Sequence, residues 1–393
     1  MPGSLRIARL FGIELRVHVS WLIIFGLLLV QFSQPGAAGL PILRRSETYV
    51  VAVAITLLFF VSLIAHELAH SLVARAFQLP VSSITLFALG GVSSLTKEPP
   101  SALAEFLMAV AGPATSVAIG VLGLGLSFLV DAYAPPNTTT DVIGSVAALL
   151  GGINLILAVF NMIPGFPLDG GRVLRSIVWG VTGERARATR IAARGGQIVA
   201  GLFVLYAILL VVAPEPAIRV GGTTVVLGGS PIWIGFIAYF LFNAASSSLE
   251  QERVTAAVSG VSVGTLMSTQ FNAVHPRTTL ADLAFVHMLP HNARAVAVVD
   301  GGSLLGIVTI ADLRNIDQQA WPQTRAEDVM RPASQIPTVG SNSRLMTAIE
   351  RFSATDLPVL PVQDDGTLVG VLEREAVGSY VRMREMLGLD TRR

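Results

Sequence analysis

The chain has 393 residues, of which 52% are hydrophobic and only 13% are charged, and its mean hydropathy is +0.65. This composition is typical of a polytopic membrane protein for at least part of the length. A formal net charge of +1, without a basic recognition helix or an aromatic stacking platform, gives no reason to expect nucleic-acid binding. The absence of cysteine excludes disulfides and thiolate zinc ligands.

Six apolar stretches predict a polytopic all-α membrane domain with about six transmembrane helices. The stretches lie at about residues 19–30, 49–77, 102–130, 142–163, 197–213 and 231–249. Three arginines precede the first stretch and small residues follow it at 35–38, so a signal peptide is the alternative for this segment. We favour a retained span, because another membrane segment follows it and not a secreted domain.

The distribution of arginine predicts the orientation of these spans. Residues 131–141 contain no Lys or Arg, whereas six arginines between Arg172 and Arg194 form the densest basic loop of the membrane half. Positively charged loops stay on the cytoplasmic side. Arg44 and Arg45 fall on the predicted outer side and weaken this orientation without reversing it. We expect a multi-pass protein of the cell (inner) membrane whose N-terminus and C-terminal domains are cytoplasmic.

The second apolar stretch contains the motif His66-Glu67-Leu68-Ala69-His70. Two histidines four residues apart lie on the same side of a helix, so their imidazoles can bind one metal ion. Glu67 lies beside them, where a carboxylate can accept a proton from a metal-bound water, as in H-E-x-x-H zinc peptidases. Ionisable groups inside an apolar span are costly without a function and a partner. We therefore favour a metal site over two structural histidines.

A catalytic zinc usually has three protein ligands and keeps one position for water. The third ligand must be a His, Asp or Glu at a similar depth, and Glu105, Asp131 and Asp141 lie near the ends of spans. Asp169 follows a segment rich in Pro and Gly that should unwind the fourth span at its inner end. On this geometry Asp169 is the favoured third ligand, and a helix-capping carboxylate is the alternative.

Residues 81–96 predict two short strands around a bend at Gly90-Gly91, because the segment is β-branched and partly alternating. A membrane-associated hairpin or sheet of this kind is tolerated only where its backbone is buried in protein or lines water. An ordinary surface hairpin is the alternative. His18, at the start of the first span, is left unassigned, because a lone interfacial histidine is more often structural than a ligand.

Two motifs together resemble the site-2 protease family of intramembrane zinc metalloproteases. One is the His66–His70 pattern inside a span, and the other is Asn-Met-Ile-Pro-Gly-Phe-Pro-Leu-Asp-Gly-Gly at residues 161–171. The resemblance covers essentially the whole membrane domain. It implies a six-span core and one zinc ion per subunit, bound by His66, His70 and Asp169.

The same resemblance implies the roles of other residues. Glu67 would be the general base, and Asn161 would assist the binding of the substrate or the transition state. The strands of residues 81–96 would lie near the active site and pair with the substrate. The substrates implied are single-span membrane proteins, cleaved in or next to their spans in regulated intramembrane proteolysis.

The C-terminal part of the chain contains an internal repeat with a period of about 63 residues. Residues 263–267 align with 326–330, and residues 298–308 align with 360–372. Each unit predicts a strand, a helix, a strand-turn-strand and a second helix. This pattern is similar to a tandem pair of cystathionine-β-synthase (CBS) domains, a soluble α/β regulatory module.

These patterns predict the boundaries of the domains. They are a membrane domain at 1–250, a linker at 251–261, CBS repeats at 262–318 and 324–385, and a tail at 386–393. The resemblance implies an adenine nucleotide between the repeats and association as a homodimer. Thr309 and Asp312 match the nucleotide-binding pattern, whereas the second repeat has Glu373 at the threonine position and also lacks the aspartate. A module that binds no ligand is the alternative.

The leading interpretation is an intramembrane zinc endopeptidase whose activity is regulated by the CBS pair. A channel or transporter with a CBS regulatory module is the alternative from a different class. Transport needs a polar path across the bilayer, but the ionisable residues here collect at one depth, which favours the protease. A membrane scaffold with an inactive metal site is disfavoured because Glu67 is present.

Overall fold

The computed structural model describes residues 3–34, 43–87, 90–95, 98–212, 217–220, 223–226 and 230–387. The small-residue segment at 35–38 and most of the predicted tail at 386–393 lie outside these ranges. The chain divides into two compact units, Met1–Glu250 and Gln251–Arg393.

The first unit is mainly helical, as its apolar stretches predict. Its helices are α1 Trp21–Phe32, α2 Arg45–Ala76, α3 Ala102–Tyr133, α4 Thr138–Asn161, α5 Asp169–Thr182, α6 Arg185–Val212 and α7 Pro231–Val258. Within the described residues, α2, α3, α4, α6 and α7 are long and apolar enough to cross a membrane. These helices confirm a multi-pass membrane protein. The first predicted span corresponds to α1, whose 12 residues are fewer than the roughly 20 that a spanning helix needs.

The basic stretch after Asp169 differs from the predicted loop, because it is largely helical. It is divided between α5 and the first turns of α6. Gly183 separates the two helices in the left-handed conformation, with a φ of 71°. The arginines are spaced along these helices, so apolar residues between them, such as Leu174, can still pack against the core. α7 likewise continues to Val258, into the predicted linker.

A four-stranded sheet belongs to the membrane unit. Its strands are β1 Ser4–Leu10, β2 Ile13–His18, β3 Val81–Phe87 and β4 Gly90–Leu95, arranged in that order. β2 and β3 pair in parallel, and the other two pairs are antiparallel. The predicted hairpin at 81–96 is confirmed as β3 and β4. A short pair, β5 Ala217–Val220 and β6 Thr223–Val226, lies between α6 and α7.

The first two strands were missed by the sequence interpretation, which treated residues 1–18 only as a basic leader to a span. The signal was present in the alternation of Ile13, Leu15 and Val17 after Phe11-Gly12. Both turn residues have positive φ, 49° and 80°, as the favoured two-residue hairpin turns require. Ile13 and Leu15 are buried with Ala74 of α2 and Met108 of α3, so the sheet packs directly on the membrane helices.

The second unit confirms the predicted CBS pair. Its elements are β7 Ala273–Val274, α8 Leu280–Asp282, β8 Ala295–Asp300, β9 Ser303–Thr309, α9 Ile310–Arg314, α10 Ala326–Val329, β10 Arg331–Pro332, α11 Leu345–Ser353, β11 Val359–Asp364, β12 Thr367–Glu373 and α12 Arg374–Met386. The β8–β9 and β11–β12 hairpins are equivalent, because both turn at two residues of positive φ, Gly301-Gly302 and Asp365-Gly366. The internal repeat is therefore a structural repeat.

Glycines let α3 and α4 approach each other closely. A Cβ atom on Gly123 would lie 2.8 Å from the carbonyl oxygen of Ala147, and one on Gly151 would lie 2.9 Å from that of Gly120. Real Cβ atoms do not approach backbone oxygens so closely. Small residues at such contacts are a common basis of helix packing in membranes, where backbones gain van der Waals contact.

We expect Gly151→Ala to destabilise the membrane unit by about 1–3 kcal/mol, because its methyl group would push α3 and α4 apart. The matched control is Gly152→Ala in the same helix, where a Cβ would meet no atom within 4 Å. Thermal unfolding of the purified protein in detergent should show a lower midpoint for the first variant only. Equal midpoints for the two variants would contradict the close approach of the helices.

Candidate metal centre

Two helices bring together the three residues expected to bind a metal. His66 and His70 lie near the C-terminal end of α2, one turn apart. α4 ends at Asn161, and the turn at 162–168 lets the chain re-enter a helix at Asp169, the first residue of α5. His66, His70 and Asp169 form a group in which all ligand atoms lie within 4.8 Å of one another.

The three ligand atoms form a nearly equilateral triangle. The Nε2 atoms of His66 and His70 are 3.2 Å apart, and each lies 3.2 Å from Oδ2 of Asp169. Metal–ligand bonds of about 2.0–2.1 Å in tetrahedral geometry would place two ligand atoms about 3.3 Å apart. The three residues therefore fit a zinc-sized cation.

The other ring nitrogen of each histidine has its own partner. Nδ1 of His70 donates a hydrogen bond to the carbonyl oxygen of Met108 at 2.6 Å, so its Nε2 is free to coordinate. Nδ1 of His66 lies 2.9 Å from Oγ of Ser116, which is fully buried. Partners of this kind fix the tautomer and the ring orientation of metal-binding histidines.

α3 presents these partners from a single stripe. Met108, Gly112 and Ser116 are four residues apart, so they lie on one face of the helix. A Cβ on Gly112 would lie only 2.6 Å from Nε2 of His66, so the site is open only because this residue has no side chain. Sequence reasoning missed this stripe, because a backbone carbonyl, a glycine and a serine carry no metal-ligand signal of their own.

A buried ion pair joins α3 to the helix that carries Asp169. Nε of Arg175 donates to Oε1 of Glu105 at 2.6 Å, and Glu105 is buried. The Arg175 guanidinium also lies over the ring of Phe166, 5.0 Å from its centroid, in the turn before Asp169. Opposite charges of this kind hold the start of α5 against α3. Sequence reasoning considered Glu105 only as a ligand, and the structure assigns it to this ion pair.

The edge of the sheet lies against Glu67. β4 is at one end of the sheet, and a Cβ on its residue Gly91 would lie 2.7 Å from the carboxyl carbon of Glu67. Glu67 is half-buried and is the neighbour of His66 in α2. Asn161, the remaining predicted site residue of this unit, is half-buried at the last position of α4.

In the CBS unit, Thr309 and Asp312 are close together. Thr309 caps α9, and its hydroxyl donates to Oδ2 of Asp312 at 2.6 Å. Nε of Arg331 lies 3.5 Å from the other oxygen of the Asp312 carboxylate. The aspartate already has two polar partners, which fix its orientation. The pKa of Arg331 is raised, chiefly by its hydrogen bond to Asp356.

A cavity of 610 Å³ lies between the two CBS repeats. Its apolar lining comes from both, with Ala297 and Ile307 from the first repeat and Val359 from the second. Arg294 and Glu375 form an ion pair of 2.6 Å at this cavity. Thr309 and Asp312 are not among its lining residues. The cavity instead adjoins Glu375, in the segment of the second repeat that departs from the nucleotide-binding pattern.

Comparisons with known proteins agree with this architecture. The profile of peptidase family M50 matches residues 54–142 and 129–206, and that of the CBS domain matches 263–318 and 326–380. A Synechocystis protein named as a zinc metalloprotease is 33% identical over 96% of this chain and 95% of its own length. A Mycobacterium tuberculosis protein with that description is 31% identical over 90% and 86%. The structure of the site-2 protease from Methanocaldococcus jannaschii is 25% identical over 63% of this chain and 95% of that chain, with a TM-score of 0.42.

We expect Ser116→Ala to weaken Zn²⁺ binding about 10- to 100-fold, because His66 loses the partner that orients its ring. The matched control is Thr115→Ala, since the Thr115 hydroxyl donates a hydrogen bond to the carbonyl oxygen of Ala111 in the same helix. Competition with a chromophoric chelator would measure both affinities on purified protein. An unchanged affinity in Ser116→Ala, or an equal loss in the control, would contradict this role.

Proposed function

Because the chain belongs to peptidase family M50, the site-2 type of zinc metalloprotease, and carries a tandem CBS pair, we propose that it cleaves membrane-spanning or membrane-proximal segments of other proteins. The observation that supports this most directly is the triangle of His66, His70 and Asp169 with Glu67 beside it. His66, Glu67 and His70 belong to α2, a helix able to span a membrane, and Asp169 is the first residue of α5. A peptidase site in such a helix suits a substrate that is itself a membrane segment.

The proposed zinc ligands are His66, His70 and Asp169, one ion per subunit. Zinc bound there would polarise the scissile carbonyl and lower the pKa of a water in its open position toward ~7. The hydrogen bonds of the histidines to Met108 and Ser116 hold both Nε2 atoms toward the centre. The Asp169 carboxylate supplies the negative charge that two neutral imidazoles lack.

Glu67 is the proposed general base. Its position next to His66 lets its carboxylate accept a proton from the attacking water and deliver it to the leaving amine. Asn161, at the end of α4, is the proposed contact for the substrate or the transition state. An amide can donate a hydrogen bond to a carbonyl oxygen that gains negative charge, and such donors are effective in a site that excludes water.

The edge strand β4 is the proposed binding place for the substrate backbone. A helical substrate must unwind before attack, because its carbonyl groups are engaged in its own hydrogen bonds. An exposed strand edge offers replacement bonds to an extended peptide. The contact between Gly91 and Glu67 supports this proposal, because a peptide paired with β4 would lie beside the general base.

The channel or transporter alternative has no support from the relatives, which are named as zinc metalloproteases. The proposed location is the cell membrane, with the N-terminus and CBS pair in the cytoplasm, on the basis of the arginines between Arg172 and Arg194.

Association through the CBS pair is a further part of the proposal. Phe285, Val286 and Leu289 are exposed on the first repeat. The equivalent helices start at Leu280 in the first repeat and at Leu345 in the second. Five and six residues after these starts, the first repeat has Phe285 and Val286, whereas the second has Glu350 and Arg351. Only one repeat therefore has an apolar outer surface there, which supports its burial against a second copy.

An adenine nucleotide is the proposed regulator of the CBS pair, and two positions are candidates for its site. The resemblance favours Thr309 and Asp312, whereas the cavity between the repeats has the volume for a small ligand and has Arg294 in its lining. The apolar lining at Ile307 and Val359 suits the flat face of a base. Arg294 is available for a phosphate once its bond to Glu375 opens.

We expect Glu67→Gln to lower cleavage at least about 100-fold without loss of bound zinc, because the amide cannot accept the proton. The matched control is Glu98→Gln, since Glu98 is exposed and pairs with Arg185. Purified protein would be incubated with single-span membrane proteins, with and without a chelator, and zinc content would be measured in parallel. Cleavage that persists in Glu67→Gln would overturn the mechanism.

For the nucleotide, we expect AMP, ADP, ATP or S-adenosylmethionine to raise the unfolding temperature of the full chain. Arg294→Ala should weaken this binding about ten-fold if the nucleotide phosphate lies in the cavity. Thr309→Ala should weaken it instead if the ribose lies at Thr309 and Asp312. Arg325→Ala, an exposed arginine that does not line the cavity, is the control. Absence of binding by all four compounds to the wild type would reject a nucleotide sensor.

A further inference from the structure

The hairpin of β1 and β2 has one apolar face and one charged face. In the register of the pair, Leu5 lies opposite Val17, and Leu10 lies opposite Ile13. Opposed residues of an antiparallel pair point to the same side. The face that β2 buries against α2 therefore continues onto β1 with Leu5 and Leu10.

This apolar face is covered along β2 but exposed along β1. Ile13 is fully buried, whereas Leu5 is 76% exposed and Leu10 is 40% exposed. Phe11 at the turn is 68% exposed, and Ile7, at the irregularity of the strand, is 58% exposed. Several exposed large apolar side chains on one edge strand and its turn are unusual in contact with water.

The opposite face of the hairpin carries its charges. Arg6 lies opposite Arg16, and Arg9 lies opposite Glu14. Glu14 receives hydrogen bonds from Arg16 at 2.8 Å and from Arg6 at 3.4 Å, so this face holds three positive charges and one negative charge. The pKa of Glu14 is lowered, chiefly by its hydrogen bond to Arg16, which keeps the carboxylate charged.

The hairpin is fixed to the membrane helices at both of its ends. Arg75, near the end of α2, donates a hydrogen bond to the carbonyl oxygen of Phe11 at the turn. At the other end, only two residues separate His18, the last residue of β2, from Trp21, the first residue of α1. The helix that follows the hairpin, α1, also exposes large apolar side chains, including Leu22 and Ile23.

We propose that β1 and its turn lie in the membrane interface, with Leu5, Ile7, Leu10 and Phe11 in contact with lipid chains and the arginines at anionic headgroups. Amphipathic helices that lie in this interface bury their apolar face about 5–10 Å into the boundary between headgroups and acyl chains, and the hairpin has a similar division into an apolar and a basic face. A second copy of the chain or a substrate would cover the apolar residues as well, but the excess of arginine on the reverse face suits a leaflet with negative lipids.

This arrangement has a consequence for the metal centre. β2 pairs in parallel with β3, and β3 pairs with β4, so the whole sheet is one hydrogen-bonded unit. Lipid contact at β1 fixes the depth of one edge of the sheet. The other edge, at Gly91, is thereby held at a defined position beside Glu67.

Single-cysteine labelling tests the proposal, because the chain has no cysteine of its own. Leu5→Cys and Leu10→Cys report the apolar face, and Arg9→Cys is the matched control on the charged face of the same strand. Leu205→Cys, on the exposed surface of α6, marks lipid contact, and Gln319→Cys, in the CBS unit, marks water. Each full-length variant carries an environment-sensitive fluorophore in nanodiscs of zwitterionic lipid with or without phosphatidylglycerol.

Labels at Leu5 and Leu10 should be quenched by nitroxide lipids about as strongly as the label at Leu205, and at least about two-fold more than the label at Arg9. Iodide in the aqueous phase should quench the label at Arg9 more strongly than the labels at Leu5 and Leu10. Equal iodide quenching at Leu5, Arg9 and Gln319 would overturn the proposal. Shielding that disappears when each nanodisc holds one copy would assign the surface to a second copy and would also overturn it.

The preference for anionic lipid has its own test. In Arg6→Gln/Arg9→Gln, lipid quenching at Leu5 should fall in phosphatidylglycerol nanodiscs toward the value in zwitterionic nanodiscs. Equal lipid quenching at Leu5 in the two lipid compositions, without the arginine substitutions, would overturn the placement of the arginines at anionic headgroups. These readouts need no cleavage, so they stand apart from any failure of the proposed peptidase activity.

Discussion

Two imidazole nitrogens and one carboxylate oxygen are held 3.2 Å apart in a largely apolar unit, and much of the membrane domain serves this arrangement. Lone pairs at such a distance repel each other, so the group is stable only with a cation or a proton among them. The surrounding residues must therefore hold the three ligand atoms together. The Nδ1 hydrogen bonds of the two histidines and the ion pair of Glu105 with Arg175 oppose the separation of these atoms, and Gly112 leaves the space in which the three ligand atoms can meet.

Helix α3 provides most of the contacts that hold the three ligand atoms together. Its residues Glu105, Met108, Gly112 and Ser116 recur every three or four positions and so lie along one stripe. The stripe touches both histidines of α2 and reaches α5 through Arg175. Glycines on another part of α3 bring α4 close, and α4 leads into the turn before Asp169. The packing of helices in the membrane unit therefore also determines the geometry of the metal centre.

The sheet adds a second link between the membrane surface and the site. Hydrogen bonds connect β1, at the proposed lipid contact, through β2 and β3 to β4 beside Glu67. Sequence interpretation identified β3 and β4 from their alternation but missed β1 and β2, because their arginines look like the basic flank of a span. It also took the arginines after Asp169 for a loop, although the helical pattern of apolar residues between them was available.

The sequence by itself indicated the family, through the resemblance of two motifs, and the two-part architecture, through composition and an internal repeat. It also predicted the residues most able to bind metal, because helical periodicity fixes which side chains share a face. His66, Glu67, His70 and Asp169 follow from local spacing and from a break in the helix. Only the tertiary structure decided what surrounds them. The contacts of Ser116, Met108 and Gly112 join segments about 40 to 50 residues apart in the chain. No local pattern records such contacts, since they depend on how the helices pack.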